Sequence, residues 1–362
     1  MPSKRTSTRR QFLKGKSAAD AVADLADRTF PREDRSQPAT DRYLLRLARR
    51  AMACPFEVLL VARQRDPATS AAVAALDLID ELEAQLTVYR DTSEVARVNR
   101  SAYREPVVVE AGLFELLTTA VRLWRETGGA FDVTSGPLSK VWGFFQRQAA
   151  LPAEQDLADA LERTGSDKLL LDAEACSVQF ARDGMEINLG GIGKGYALDR
   201  AAELLFEQGV DSFLIHGGQS SVVARGARGG EAAGDGWTID VADPLRPEHS
   251  LAEIRLIDQA LGTAGTSRQY FRYQGRRFGH IIDPRTGWPA DKLVSVTVVA
   301  PTGAEADALA TAFYSMGPDA AIEYCSRHPQ VAALLVCPVG ERNRIELRHT
   351  GLADGQLKIN DS

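Results

Sequence analysis

The hydrophobic residues of the chain fall into short apolar runs and longer stripes with helical spacing. The run 56–62 (FEVLLVA) has the length and composition of a strand, and residues 71–89 repeat apolar positions with the period of a helix. A second helical stripe covers residues 113–127 and ends at the pair Gly128-Gly129. The pattern predicts that the folded part opens with a strand and a long amphipathic helix.

The later apolar segments follow one another irregularly. Strands are predicted at 106–110, 169–171, 177–180, 213–215, 237–241, 293–300 and 331–337, and helices at 195–208 and 304–314. Several of the strand pairs are spaced as hairpins. We therefore expect one large mixed-sheet α+β domain rather than a doubly wound parallel sheet.

Composition and charge narrow the class of protein. The chain has 362 residues, of which 44% are hydrophobic and 25% charged, and this is enough apolar surface for a substantial core. Its formal net charge of −6 disfavours nucleic acid as the main partner, because a phosphate-binding face needs a basic excess. The four cysteines lie far apart and form no C-x-x-C, so they indicate neither a zinc site nor a disulfide framework. No apolar run approaches the roughly 18 residues of a membrane span.

Residues 1–40 differ from the rest, and we predict that the folded domain covers residues 41–362. Residues 8–14 (TRRQFLK) resemble the twin-arginine export motif. The apolar h-region that must follow is missing, since Asp20, Asp24 and Asp27 fall where it would lie. This absence favours a cytoplasmic location over twin-arginine export to the periplasm. Residues 29–41 are rich in Pro, Arg, Glu, Asp and Ser, which is typical of a linker.

The densest glycine segment is 187–199 (INLGGIGKGYALD). Glycines let the backbone approach a ligand closely, and the start of the predicted helix offers free N–H groups and a positive dipole end. Lys194 adds a point charge, so the segment has the features of an anion site. It is not a Walker P-loop, because Gly195 stands where that motif needs Ser or Thr. A tight strand-to-helix turn explains the same glycines equally well.

Two further segments carry candidate chemistry. His280 precedes a Pro-rich turn (HIIDPRTGWP), where a histidine is either a structural residue or an acid–base group. Asp307 and Thr311 lie four residues apart on one face of a predicted helix. A carboxylate and a hydroxyl are hard oxygen donors of the kind that Mg²⁺ uses beside phosphates and water. The alternative for Asp307 is an acid that the helix dipole favours near the N-terminus.

Taken in chain order, these segments resemble the FAD:protein FMN transferases, the ApbE-like family. The resemblance extends over about residues 50–340 and rests on co-ordered motifs: Tyr89 with Ser93-Glu94 and Asn99, GAFDVT at 129–134, GGIGKGYALD at 190–199, GTAG at 262–265, HIIDPRTG at 280–287 and ADALAT at 306–311. It implies a T-fold-like domain with FAD in a cleft. It also implies an Mg²⁺-dependent enzyme that cleaves FAD, releases AMP and attaches FMN by a phosphoester to a Thr or Ser of an acceptor protein.

The resemblance also implies site residues. The flavin pocket would be lined by Met52, Tyr89, Ala130, Phe131, Asp132 and Asn188. Lys194 would contact the pyrophosphate or the flavin, and the Gly191 carbonyl would join Asp307 and Thr311 around Mg²⁺. His280 would bind the substrate and act as the general base, or position the attacking hydroxyl. Asp307 and His280 are thus the expected catalytic residues.

Four residues depart from the common family pattern and keep an alternative open. Cys54 stands in place of Thr, Asn188 in place of Asp, and Ala264 and Ala310 each in place of Ser. Asn188 removes one carboxylate near the nucleotide, a change that could alter FAD affinity. A FAD-binding protein or a FAD pyrophosphatase without transfer activity is the alternative. A purely structural or interaction protein is disfavoured, because the charged site residues are all present. By resemblance, the acceptor is a redox-complex subunit or an electron-transfer protein.

Overall fold

An eight-stranded antiparallel sheet organises the fold, in the strand order β1-β2-β6-β7-β10-β13-β14-β15. The computed structural model describes residues 42–63, 67–144, 150–228, 236–266, 270–340 and 344–360. Smaller sheets have the orders β16-β9-β8, β3-β5-β4 and β11-β12. The mixed α+β prediction is therefore confirmed. The predictions for residues 1–40 concern a segment outside the described residues.

The strands of these sheets are β1 (Arg42–Ala51), β2 (Cys54–Arg63), β3 (Val107–Val108), β4 (Leu169–Asp172), β5 (Ser177–Phe180), β6 (Phe213–Gly217), β7 (Ser221–Arg225), β8 (Trp237–Ala242), β9 (Ser250–Leu256), β10 (Gln259–Gly265), β11 (Tyr270–Tyr273), β12 (Arg276–Gly279), β13 (Ser295–Ala300), β14 (Ala332–Val339), β15 (Arg344–Thr350) and β16 (Leu357–Ile359). The α-helices are α1 (Ala68–Leu86), α2 (Glu94–Ser101), α3 (Ala111–Glu126), α4 (Gly136–Val141), α5 (Glu154–Glu162), α6 (Gly193–Glu207), α7 (Gly303–Met316) and α8 (Pro318–Arg327). None of the helices in the described residues is long and apolar enough to cross a membrane.

The main sheet buries both of its faces. On one face, Phe56, Val58 and Leu60 of β2 belong to the large core that also contains the inner sides of α1, α3, α6 and α7. On the other face, Leu59 packs in a second core with residues of β8 and β9. Successive side chains of a strand point to opposite faces, so the fully apolar runs of the central strands supply both cores at once.

Helices α6 and α7 cross at a point where only glycine fits. A Cβ atom added to Gly195 would lie 1.9 Å from the Gly303 carbonyl oxygen, and one added to Gly262 of β10 would lie 2.4 Å from the Ala306 carbonyl oxygen. The missing side chains let α7 approach both the neighbouring helix and the sheet beneath it. The first turns of α6 and α7 consequently lie against each other.

The predicted long elements are present with shifts of a few residues at their ends. The sequence pattern did not predict β1, because Arg46, Arg49 and Arg50 interrupt its apolar alternation. Two of these charges are met by tertiary partners: Arg46 donates to Glu57 at 2.6 Å, and Arg49 pairs with Asp77 and Asp80 of α1. The strand is stabilised by pairing along the whole length of β2 rather than by local preference.

Candidate active site

Asp307 is a buried carboxylate on the second turn of α7 and faces the start of α6. Its Oδ2 accepts a hydrogen bond from the Gly195 N–H at 2.7 Å, and its Oδ1 accepts one from the Ser221 hydroxyl at 2.7 Å. Burial raises the pKa of the Asp307 carboxyl, while the charge of Lys194 and the two hydrogen bonds act in the opposite direction. The carboxylate is thus held by three different elements: α6, β7 and α7.

Lys194 places a positive charge beside this carboxylate. Its Nζ donates to the Ser220 hydroxyl at 2.5 Å and to the Ser221 hydroxyl at 2.8 Å. Ser221 therefore accepts a hydrogen bond from Lys194 and donates one to Asp307, so the cation, the hydroxyl and the carboxylate form a continuous hydrogen-bond chain. The side chain starts in the first turn of α6, where the helix dipole also favours anions. The arrangement provides positive potential for an anionic ligand next to one fixed carboxylate.

Thr311 and the glycine loop complete the ring around Asp307. The Thr311 hydroxyl donates to the Asp307 carbonyl at 3.1 Å, so its oxygen lone pairs remain available as acceptors. A Cβ added to Gly191 would lie 3.2 Å from the Thr311 hydroxyl oxygen and 3.4 Å from the Phe131 ring. The loop backbone therefore passes directly beside Thr311. The sequence-predicted trio of Gly191, Asp307 and Thr311 comes together in the structure.

The chemistry of this trio fits a magnesium ion. Within the described residues, no three His, Cys, Asp or Glu side chains form a group that could hold a metal. Mg²⁺ needs no such group, because it typically takes one or two carboxylates and completes its shell with substrate phosphates and water. One carboxylate, one hydroxyl and one backbone carbonyl are hard oxygen donors of this kind.

The glycine loop is fixed at its entrance by two asparagines. The Asn99 side chain donates to the Ile187 carbonyl at 3.0 Å and accepts from the Ile187 N–H at 2.7 Å. The Asn188 N–H donates to the Val133 carbonyl at 2.7 Å, and the Asn188 Oδ1 accepts from the Gly190 N–H at 2.9 Å. The loop before α6 therefore has a defined backbone course, which is what an amide cradle for a phosphate requires.

The predicted flavin-wall residues 130–132 are all buried. The Asp132 Oδ1 accepts from the Thr134 hydroxyl at 2.6 Å and the Ser166 hydroxyl at 2.7 Å, and its Oδ2 accepts from the Ser166 N–H at 3.0 Å. Burial raises the pKa of Asp132, and these hydrogen bonds oppose the rise. The structure thus gives Asp132 a role in holding the 130–134 turn together, beside the pocket role that the resemblance implies.

Met52 lies in the two-residue turn between β1 and β2. Met52 and Ala53 both have positive φ, at 47° and 62°, as tight hairpin turns of the I′ type require. Cys54 follows, and a Cβ added to Gly218 would lie 3.1 Å from its sulfur. Gly218 begins the β6–β7 turn that carries Ser220. The Met52 turn therefore lies beside the turn whose serines accept hydrogen bonds from Lys194. Tyr89 lies on the loop between α1 and α2 and is 70% exposed.

His280 directly follows β12 and is partly buried. β12 lies beside α7: a Cβ added to Gly279 would lie 2.2 Å from the Thr266 methyl group, and the Thr266 hydroxyl is 2.9 Å from the Tyr314 hydroxyl. Tyr314 is three residues after Thr311, so both side chains lie on neighbouring parts of one helix face. The backbone next to His280 is therefore connected, through Thr266 and Tyr314, to α7, the helix that carries Asp307 and Thr311.

The sequence motifs did not single out Ser220 and Ser221. These serines end a turn that begins with Gly217-Gly218 and includes Gln219 at a φ of 63°. The signal that could have found them is the glycine pair before two adjacent hydroxyls, a pattern that places polar side chains at a close backbone approach. Their partners, Lys194 and Asp307, are 26 and 86 residues away, so only the folded chain shows the contact.

Known proteins resemble this chain along most of its length. The model of the ApbE family matches residues 52–335. The FAD:protein FMN transferase of Escherichia coli (strain K12) is 32% identical over 258 residues, which are 70% of this chain and 72% of that protein. The enzyme of the same name from Treponema pallidum (strain Nichols) is 33% identical over 72% of this chain and 75% of its own length.

Solved structures agree with the sequence matches. The ApbE protein of Thermotoga maritima has a TM-score of 0.76 and 28% identity, covering 85% of this chain and 97% of its own. The flavinyl transferase ApbE of Pseudomonas stutzeri has a TM-score of 0.76 and 26% identity, covering 87% and 96%. The expected ApbE-like fold is therefore confirmed. With a family model spanning most of the folded chain and relatives above 30% identity, this chain belongs to the ApbE family.

Proposed function

We propose that this protein is a flavin transferase that cleaves FAD and attaches the FMN half to a Thr or Ser hydroxyl of an acceptor protein. The observation that carries the proposal is the Lys194–Ser221–Asp307 hydrogen-bond chain beside Thr311 and the glycine loop. It joins a cation for phosphate oxygens to a buried carboxylate that suits a divalent cation. The relatives named FAD:protein FMN transferase support the same reaction class.

The proposed reaction is a single displacement at the FMN-side phosphorus of FAD. A bond forms between this phosphorus and the acceptor oxygen, and the bond to the bridging oxygen breaks, so that AMP leaves with the bridging oxygen. The acceptor hydroxyl gives up its proton, for which His280 is the candidate base or positioning group. Such transfers depend mainly on positioning and on charge stabilisation, so little covalent work falls to the protein.

Each site residue has a task in this scheme. Lys194 neutralises pyrophosphate charge, and the positive end of the α6 dipole adds to the electrostatic attraction for phosphate oxygens. Asp307, Thr311 and the Gly191 carbonyl would hold Mg²⁺, which when bound supplies further charge neutralisation for the pyrophosphate and the leaving AMP.

The flavin side of the site is formed by two groups of residues. Met52, Ala130, Phe131, Asp132 and Asn188 form the wall for the flavin, and the exposed ring of Tyr89 stacks on it.

The test uses the full chain with FAD, Mg²⁺ and a tag peptide bearing a family-type threonine acceptor. Mass spectrometry measures the covalent FMN adduct, and chromatography measures AMP. We expect an adduct that requires Mg²⁺, and its loss in Asp307→Ala, whereas Asp319→Ala on the exposed start of α8 keeps wild-type transfer. AMP release without an adduct would assign the protein to FAD hydrolysis instead. FAD binding without AMP release would make it a flavin carrier.

A further inference from the structure

The β11–β12 hairpin pairs only with itself among the described strands and forms a separate two-stranded sheet. One of its faces is packed inward. Phe271 and Phe278 lie opposite each other with ring centroids 5.3 Å apart, and they contact Trp142 at 6.1 and 5.8 Å. This aromatic cluster anchors the hairpin to α4. Packing therefore accounts for Phe271 and Phe278 on the inner face, whereas Tyr273 on the same face is 43% exposed.

The outer face of the hairpin is cationic. Arg272 lies directly opposite Arg277 in the strand register, and both side chains are exposed. Like charges at directly opposed positions destabilise a strand pair. Among the residues that the structure describes, no carboxylate forms an ion pair with either arginine. The Arg277 guanidinium lies 3.8 Å from the centroid of the Tyr270 ring on the same face, and that ring is itself 42% exposed.

This face adjoins the candidate active site. Arg277 donates a hydrogen bond to the Thr266 carbonyl, and the Thr266 hydroxyl contacts Tyr314 of α7, three residues beyond Thr311. His280 follows the last residue of β12. A molecule bound across Tyr270, Arg272 and Arg277 would therefore lie near His280, the residue proposed to deprotonate or position the attacking hydroxyl.

We propose that the outer face of β11–β12, defined by Tyr270, Arg272 and Arg277, docks an acidic segment of the acceptor protein next to its Thr or Ser. The inference rests on the proposed transferase function. Two opposed arginines that form no ion pair with a described carboxylate are an arrangement that an anionic partner would stabilise, and arginine and tyrosine are enriched among the residues that dominate protein interfaces. The chain as a whole carries a net charge of −6, so a locally cationic face is needed to attract an acidic partner.

A protein segment explains this face better than FAD does. The anionic part of FAD is its pyrophosphate, for which the fold already provides Lys194 and the start of α6. The hairpin arginines are exposed on one face of a two-stranded ribbon rather than held in a loop that surrounds a small anion. An extended acidic chain can contact both arginines and the tyrosine at once.

The test compares acceptor peptides with the same central threonine sequence and either three Asp or three Lys residues on its flank. We expect the wild-type KM for the acidic peptide to be roughly 5- to 30-fold lower, because each exposed ion pair contributes modestly and two act together. The preference should weaken as salt is raised. The double variant Arg272→Glu/Arg277→Glu should lose or reverse it, with unchanged FAD affinity, and Arg272→Lys/Arg277→Lys should retain most of it.

A matched control variant makes the same change in net charge at residues outside the hairpin. Arg182→Glu/Arg327→Glu replaces two exposed arginines outside the hairpin and should leave both KM values at the wild-type ratio. Equal wild-type KM values for the two peptides would overturn the proposal, as would a charge-reversal variant that loses FAD affinity or changes only its oligomeric state. Absence of any adduct with wild-type protein would contradict the transferase function itself, which separates the two failures.

Discussion

The carboxylates of Asp199 and Asp307 cap each other's helices. Asp307 of α7 accepts from the Gly195 N–H in the first turn of α6 at 2.7 Å, and Asp199 of α6 accepts from the Gly303 and Ala304 N–H groups in the first turn of α7 at 2.6 and 2.8 Å. Each acid lies four residues after the glycine of its own helix. The two helix starts are therefore locked together, and the candidate metal ligand is positioned by the same exchange that stabilises the helix pair.

Removal of the Ser221 hydroxyl should impair the site without unfolding it. Ser221→Ala breaks the link between Lys194 and Asp307 and takes one hydrogen bond from the carboxylate. We expect the transfer rate to fall, or the Mg²⁺ concentration that gives the half-maximal rate to rise, by roughly 10- to 100-fold. Effects of this size are usual for groups that orient a metal ligand. Initial rates over a Mg²⁺ titration and the Mg²⁺-induced rise in Tm measure this effect. Ser220→Ala is the control, because the Ser220 hydroxyl contacts Lys194 but not Asp307. Equal losses in both variants would contradict the role assigned to Ser221.

The glycine at the crossing of α6 and α7 should not tolerate a side chain. In Gly195→Ala the new Cβ would lie 1.9 Å from the Gly303 carbonyl oxygen, so the helices must separate. We expect a loss of about 2–4 kcal/mol in the free energy of unfolding, at or above the usual cost of overpacking, and loss of transfer. Urea unfolding measures the change. Gly193→Ala in the same helix meets only Leu189 at 3.5 Å, and a comparable loss there would argue against the crossing as the cause.

Asp199 should make stability depend on pH near neutrality. Burial raises its pKa to about 7, against the N–H hydrogen bonds that favour the charged form. A carboxyl with a raised folded-state pKa binds its proton more tightly when folded, so stability falls as pH rises from about 4 to about 7. In Asp199→Asn this contribution is absent, and the pH slope of Tm over that window should be shallower. Other buried acids contribute in both proteins, so the difference between the two slopes is the measurement. Identical slopes would contradict the prediction.

Glu57 should give the opposite pH dependence. Burial alone would raise the pKa of Glu57, but its contacts with His216 at 3.4 Å and Arg46 at 2.6 Å lower the pKa to about 2. Stability from this group is complete above about pH 4.5 and is lost as the pH falls toward 2. Glu57→Gln should lower the free energy of unfolding by about 2 kcal/mol at pH 7, less than for a fully buried pair because Arg46 is partly exposed.

The acid titration provides the check on that variant. Wild-type protein should lose stability between about pH 4.5 and 2 in chemical denaturation, and the difference from Glu57→Gln should shrink across the same interval. Arg182→Ala removes an exposed ion pair with Glu162 and serves as the comparison, with an expected effect below about 1 kcal/mol. A difference that stays constant down to pH 2 would exclude the ionised Glu57 as its source.

The sequence by itself determined helices whose apolar residues repeat with a clear period, such as α1 and α3, and the central strands, which are continuous apolar runs of strand length. Periodicity is a local property, because it depends only on which face of an element becomes buried. The order of the motifs likewise indicated the family, and the four-residue spacing of Asp307 and Thr311 placed both on one helix face. These features need no knowledge of where the chain folds back.

Tertiary structure alone decided the contacts that turn motifs into a site. Lys194, Ser221 and Asp307 come from α6, β7 and α7, and Arg272 opposes Arg277 only in the register that β11–β12 adopts. The arginines of β1 read as a polar segment until Glu57, Asp77 and Asp80 are placed beside them. The physical reason is common to all three: hydrogen bonds and charge pairing act over a few ångströms in space, and residues far apart in sequence reach that distance only after the apolar faces have packed.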